Sequence, residues 1–169
     1  MKKNLILLGM MAVGKTTLGK IVAKNMKMDF VDTDSAIENK LSMKISDVFK
    51  KKGEDYFRAE EEKVVLKCLE KKNCVIALGG GVFLNKNLRE AILKDSFSIW
   101  LDVSSKILSK RTKWNKKRPL LNKINNQKKI DELYAKRKNI YKLANHKIIC
   151  DKLNKKNIAN KIIKLYEKY

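Results

Sequence analysis

The chain has 169 residues, enough for one domain with a sizeable core, and it holds no apolar run long enough to span a bilayer. Its 40 Lys and Arg against 18 Asp and Glu give a formal net charge of +22, a field that attracts anionic small substrates. The lysines are spread along the whole chain with no aromatic-rich basic tract, so a nucleic-acid partner is not expected, and Cys68, Cys74, Cys150 and the lone His146 lack metal-ligand spacing.

The first residues, MKKNLILL, resemble the start of a leader. The apolar run stops at Gly9, however, and no small-residue cleavage site follows. Residues 5–8 are therefore read as a buried strand and the protein as cytoplasmic. Leu18, Ile21 and Val22 give helical spacing over residues 17–25. Phe30 and Val31 read as a second strand that runs into Asp32, Thr33 and Asp34. A short helix is expected around Ile45, Val48 and Phe49, and a longer one over residues 54–71. Residues 74–78 form a strongly apolar strand ending in Gly79, Gly80 and Gly81. A helix over 87–93, a strand over 97–101 and a helix over 105–112 follow. Residues 113–126 are polar and basic and carry the only proline, Pro119. That segment is long for a plain connection and reads either as a mobile lid or as a surface loop. A helix over 128–144, a strand over 148–150 and a helix over 157–166 complete the chain. Strands alternate with helices throughout, so a single α/β domain over residues 1–169 is expected, its parallel sheet covered on both faces.

Gly9 to Thr16 reads GMMAVGKT and fits G-x-x-x-x-G-K-[ST] between an expected strand and an expected helix, the setting of a P-loop. Ala12, Val13, Gly14, Lys15, Thr16 and Thr17 are the candidate ATP-binding residues. Main-chain N–H groups there converge on phosphate oxygens, and the helix adds the positive end of its dipole. Lys15 reaches the β- and γ-phosphates, and the Thr16 hydroxyl faces Mg²⁺. A nucleoside triphosphate, most simply ATP, is the expected donor, and a small kinase the leading class.

In open α/β folds, ligands lie beyond the carboxyl ends of the strands. Asp32 and Asp34 stand at one such end. One can help organise Mg²⁺ through its water shell while the other orients or deprotonates an attacking alcohol. Equally, one of them can simply cap the helix that follows. At another end, Gly79, Gly80 and Gly81 let a ligand approach the main chain. No acidic residue closes that strand, which places more weight on Asp32 for the metal.

Only five of the 40 basic residues are Arg. Where lysine is the default cation, a planar fork has a purpose. Arg58 and Arg137, on separate expected helices, suit a carboxylate-bearing acceptor, although each alone can be a surface ion pair. Arg118, in the expected lid, can close onto the γ-phosphate and act as a catalytic residue beside Lys15 and Asp34. Arg111 can stack on adenine. Arg89 has no evident partner and is assigned to the surface.

The P-loop, DTDSAIE, GEDYFRAEE, LGGG, RT followed by RPLL, and RKNIYKLA occur here in an order and spacing that resemble the shikimate kinase family almost end to end. The resemblance implies a P-loop fold of the nucleoside-monophosphate-kinase type, with a five-stranded parallel sheet in the order 2-3-1-4-5. It also implies transfer of the γ-phosphoryl group of ATP, with Mg²⁺, to the 3-hydroxyl of shikimate in the chorismate route, and a monomer is expected. By position, Asp34 then holds the 3-hydroxyl, Arg58 and Arg137 clamp the carboxylate, and the backbone of Gly79, Gly80 and Gly81 meets the ring hydroxyls. The substrate-binding segment becomes about 33–61. Ile45, Phe49 and Phe57 match residues around the substrate ring, positions that helix-core packing explains equally, and Glu61 matches a family acid. Arg118 becomes the lid arginine, and Arg111 flanks adenine. One departure concerns residues around Leu153 to Lys155, where parts of the family use a proline against adenine that is absent here.

Two other enzyme classes share the cradle. A gluconate-kinase-like enzyme is expected to carry a histidine shortly after the DTD equivalent, and none is present. The LGGG segment counts against an adenylate-kinase-like second nucleotide. An idle interaction protein would not need Lys15, Asp34 and Arg118 together.

Overall fold

The computed structural model describes residues 3–112 and 126–169. The expected lid, with Arg118, Trp114 and Pro119, lies outside the described residues. Five strands form one sheet: β1 (Asn4–Leu8), β2 (Asp29–Asp32), β3 (Cys74–Ala77), β4 (Ser96–Asp102) and β5 (His146–Ile149). All pairings are parallel and the order is β2-β3-β1-β4-β5, as expected. Every residue of β1, β3 and β4 is buried. Successive strand residues face opposite sides, so helices must cover both faces.

Seven α-helices are seen among the described residues: α1 (Lys15–Met26), α2 (Thr33–Leu41), α3 (Ile45–Leu69), α4 (Lys86–Asp95), α5 (Ser105–Thr112), α6 (Asn126–Tyr141) and α7 (Lys155–Glu167). In space α1 packs on α7, α5 on α6, and α2 and α4 on α3. None of the described helices is long and apolar enough to cross a membrane.

One element differs from the expectation. Asp34 lies in the first turn of α2, a helix whose cap was expected at Asp32 or Asp34 but whose extent the apolar pattern does not mark. Asp32 caps it, its Oδ1 accepting from the N–H groups of Asp34 at 3.0 Å and Ser35 at 3.2 Å. A capped, nine-residue helix with a weak apolar stripe is easily missed, because Ile37 is its one buried large apolar residue. The two helices expected between residues 45 and 71 are present as the two parts of α3, separated at Gly53, whose φ of 84° and ψ of 173° lie outside the helical region.

The buried side chain of Asn4 ties the back of the sheet together. It donates to the carbonyls of Leu69 and Lys71 and accepts from the N–H of Cys74 at 3.1 Å. A buried polar residue that completes three bonds holds the end of α3 against β1 and β3. Cys68, Cys74 and Cys150 are all buried free thiols. Burial raises all three, Cys74 and Cys150 each to about 11, so they pack as apolar side chains.

The chain runs from β1 two places outward to β2, returns to β3, then crosses over β1 to β4. The crossover opens a crevice at the carboxyl ends of β1, β3 and β2. The three segments singled out in the sequence leave the sheet there.

Candidate active site

The loop between β1 and α1 wraps tightly. Gly9 has φ 142° and Gly14, the N-cap of α1, has φ 99°. No side chain caps α1 and its first turn carries no acid. Its first N–H groups and the dipole therefore point at whatever anion enters the loop. Lys15 folds back over the loop, with Nζ donating to the carbonyls of Gly9 and Met10, each at 2.9 Å. Arg111, on α5, donates to the carbonyl of Ala12 at 3.2 Å, so the residue expected near adenine does border the loop.

Thr16 Oγ1 donates to Asp32 Oδ2 at 2.5 Å. The capping reading of Asp32 holds: one carboxylate oxygen caps α2, while the other accepts from the P-loop hydroxyl of Thr16. Asp34, in the first turn of α2, projects onto the glycine segment after β3. A β-carbon on Gly79 would clash with Asp34 Oδ1 and stand 3.5 Å from Glu61 Oε1.

The glycine segment is the hub of the site. Its three residues face three different chemical groups. Gly79 meets the carboxylate of Asp34, Gly80 lies against Arg137 and the loop backbone at Gly9 and Met11, and Gly81 meets the guanidinium of Arg58. Arg137, buried on α6, donates to the Gly80 carbonyl at 3.3 Å. Arg58 on α3 bonds Glu61 Oε2 at 2.7 Å and Glu54 Oε1 at 3.2 Å. Glu61 is almost fully buried; burial pushes its pKa up, with Arg58 opposing and Asp34 adding to the rise. Burial also works against the charge of Arg58, but Glu61 and Glu54 outweigh it and its pKa is raised.

Phe49 and Phe57 pack with ring centroids 4.7 Å apart, and the Arg58 guanidinium lies 5.3 Å from the Phe57 centroid. Phe57 is buried in the core, and Ile45 and Phe49 are partly buried against it, so core packing accounts for all three. Leu153 also packs on the core, Asn154 caps α7 and Lys155 begins it.

Two site residues were not singled out in the sequence. Thr33, fully buried, accepts from the N–H of Gly79 at 2.8 Å and fixes the start of the glycine segment. Tyr141 donates to the Gly80 carbonyl at 2.6 Å. It stands four residues after Arg137 on α6, the helical spacing that puts two side chains on one face, so the signal was present. Arg89 corrects the surface assignment: it is half-buried and donates to the carbonyls of Phe83 at 3.0 Å and Leu84 at 3.2 Å, closing the turn that follows the glycines.

A family model described as shikimate kinase matches residues 11–167. The chain belongs to the shikimate kinase family. The shikimate kinase of Thermoanaerobacter pseudethanolicus is 42% identical over 164 residues, 97% of this chain and 96% of its own. That of Sulfurihydrogenibium is 41% identical over 161 residues, covering 95% and 96%. Among solved structures, the shikimate kinase of Acinetobacter baumannii in complex with shikimate superimposes with a TM-score of 0.94 at 31% identity, over 99% of this chain and 94% of the other. Like the other members, the chain is an ATP-dependent kinase with a transferase architecture.

Proposed function

We propose that the chain transfers the γ-phosphoryl group of ATP to the 3-hydroxyl of shikimate, giving 3-phosphoshikimate and ADP on the route to chorismate and the aromatic amino acids. The observation that carries this reading is the meeting of Asp34, Arg58 and Arg137 on three successive glycines beside the P-loop. One carboxylate and two guanidinium forks suit an acceptor that has both a hydroxyl and a carboxylate.

The backbone of Ala12, Val13 and Gly14, with Lys15, Thr16 and Thr17, binds the phosphates. Lys15 Nζ, held over the loop by the carbonyls of Gly9 and Met10, reaches the β- and γ-phosphates. Thr16 and Asp32 present a hydroxyl and a carboxylate side by side, hard oxygen donors that fit Mg²⁺. Bound there with the nucleotide, Mg²⁺ neutralises phosphate charge. Arg58 and Arg137 clamp the shikimate carboxylate, and the backbone of Gly79, Gly80 and Gly81 lines the ring hydroxyls. Asp34 orients the 3-hydroxyl and receives its proton. A lone pair on that oxygen forms the new P–O bond as the bond to the β,γ-bridging oxygen breaks and ADP leaves. Arg111 flanks adenine. Arg118, from the lid segment, stabilises charge on the transferring group.

The test is ADP release in a coupled assay with Mg·ATP and shikimate, gluconate, AMP or no acceptor. Release that depends on shikimate alone, and that drops at least about a hundredfold in Asp34→Asn, is expected. Release with another acceptor, or equal release with none, overturns the reading.

A further inference from the structure

Arg137 is held from both ends of its helix segment. On the side toward the C-terminus of α6, Tyr141 bonds the Gly80 carbonyl, and its ring lies 5.9 Å from that of the fully buried Trp100. On the other side, Tyr134 donates to Asp102 Oδ1 at 2.9 Å. The other oxygen of Asp102 pairs with Lys147 Nζ on β5 at 2.8 Å. That ammonium also sits over the Trp100 ring, 4.4 Å from its centroid. Residues 134, 137 and 141 share one face of α6, and Trp100 and Asp102 share one face of β4. Two anchors on the strand thus meet two tyrosines on the helix, with Arg137 one turn from each. Asp102 is buried, its side chain only 11% exposed, and both of its oxygens are engaged. A buried carboxylate of this kind tolerates little movement of its partners.

We propose that Lys147, Asp102 and Tyr134 form a positioning relay that sets the angle of α6 and thereby aims Arg137 at the acceptor carboxylate. The relay rests on the reading that Arg137 binds that carboxylate. None of the three residues touches substrate; they act through Arg137. The relay acts on acceptor binding more than on the nucleotide, because the charged group it aims is Arg137, whereas Gly80 meets the phosphate loop only through main chain.

Steady-state kinetics on the full chain, with shikimate and ATP varied separately, test this. Tyr134→Phe removes one hydroxyl and keeps the ring. It is expected to raise the KM for shikimate about three- to tenfold, the value of one lost hydrogen bond, with the KM for ATP changed less than about twofold. Lys147→Met should reproduce the effect and Lys147→Arg should restore wild-type values. In an Arg137→Lys background, Tyr134→Phe should raise the shikimate KM no further. An unchanged shikimate KM overturns the relay, as does a parallel rise in both KM values or full additivity with Arg137→Lys. Wild-type protein with no shikimate-dependent turnover overturns the functional reading and the relay with it. Wild-type turnover with an insensitive Tyr134→Phe overturns the relay alone.

Discussion

Gly81 and Arg58 touch: a β-carbon on Gly81 would stand 2.6 Å from Nη1 of Arg58. Gly81 has an ordinary φ of −95°, so alanine adds no backbone strain there. The atom it meets is the far end of a flexible side chain, so the fold can absorb the change by moving the guanidinium. Gly81→Ala should therefore raise the KM for shikimate by about tenfold while Tm stays within about 2 °C of wild type. Parallel kinetics and thermal denaturation check it, and an unmoved KM would remove Arg58 from the acceptor site.

Gly9 presents the opposite case. A β-carbon there would stand 2.5 Å from the backbone carbonyl oxygen of Leu101, and its φ of 142° is one that L side chains rarely adopt. Main chain cannot swing aside as an arginine can. Gly9→Ala should destabilise the protein by about 1–3 kcal/mol, and for a chain of this size each kcal/mol lowers Tm by about 2–4 °C. Wild-type Tm in this variant would show that β1 and β4 separate more easily than their packing implies.

Asp32 has two duties that substitution can separate. Asn retains the cap on α2 but removes the charge facing Thr16, whereas Ala removes both. Asp32→Ala should lose about 0.5–2 kcal/mol of stability, and Asp32→Asn only a small part of that. Both variants should need more Mg²⁺ for half-maximal activity. The check is chemical denaturation combined with a Mg²⁺ titration of turnover. An unaltered Mg²⁺ requirement in both variants would restrict Asp32 to capping.

Glu61 is buried and its pKa lies above the usual glutamate value of 4.5. The folded protein therefore holds this proton more tightly than the unfolded chain does. Its contribution to stability is present below the unfolded pKa and is lost as pH rises through the folded one. Gln imitates the protonated acid at every pH. The stability of Glu61→Gln relative to wild type should rise as pH increases from about 4 toward neutrality and then level off. Denaturant midpoints across that range measure it. A difference that does not vary with pH would mean that Arg58 fully compensates the buried charge.

Much of the fold and site is legible in local patterns. The strands around Leu5 and Val75 are continuous apolar runs, and the one around Phe97 is interrupted only at Ser98, because the sheet is buried on both faces; such runs need no long-range information to be seen. Helix α5 matches its expected bounds, residues 105–112. Arg58 and Arg137 stood out because arginine is scarce in a lysine-rich chain, and the structure places both against the glycine segment. The extent of α2 was not legible: a cap at Asp32 was one reading of the DTD stretch, but Ile37 is the helix's one buried large apolar residue and marks no periodic face. A DTDS stretch is equally compatible with a loop.

The sequence by itself determined the alternation of strands and helices, the phosphate loop and the identity of the charged groups that reach the site. Each of these rests on spacing between near neighbours in the chain, or on a residue type with one strong chemical property. Only the tertiary structure decided which groups meet. Arg89 closes a turn instead of facing solvent, Thr33 secures Gly79, Tyr141 secures Gly80, and Lys147, Asp102 and Tyr134 join across β5, β4 and α6. These contacts link residues that are ordinary in sequence, and their partners are chosen by sheet order and helix register.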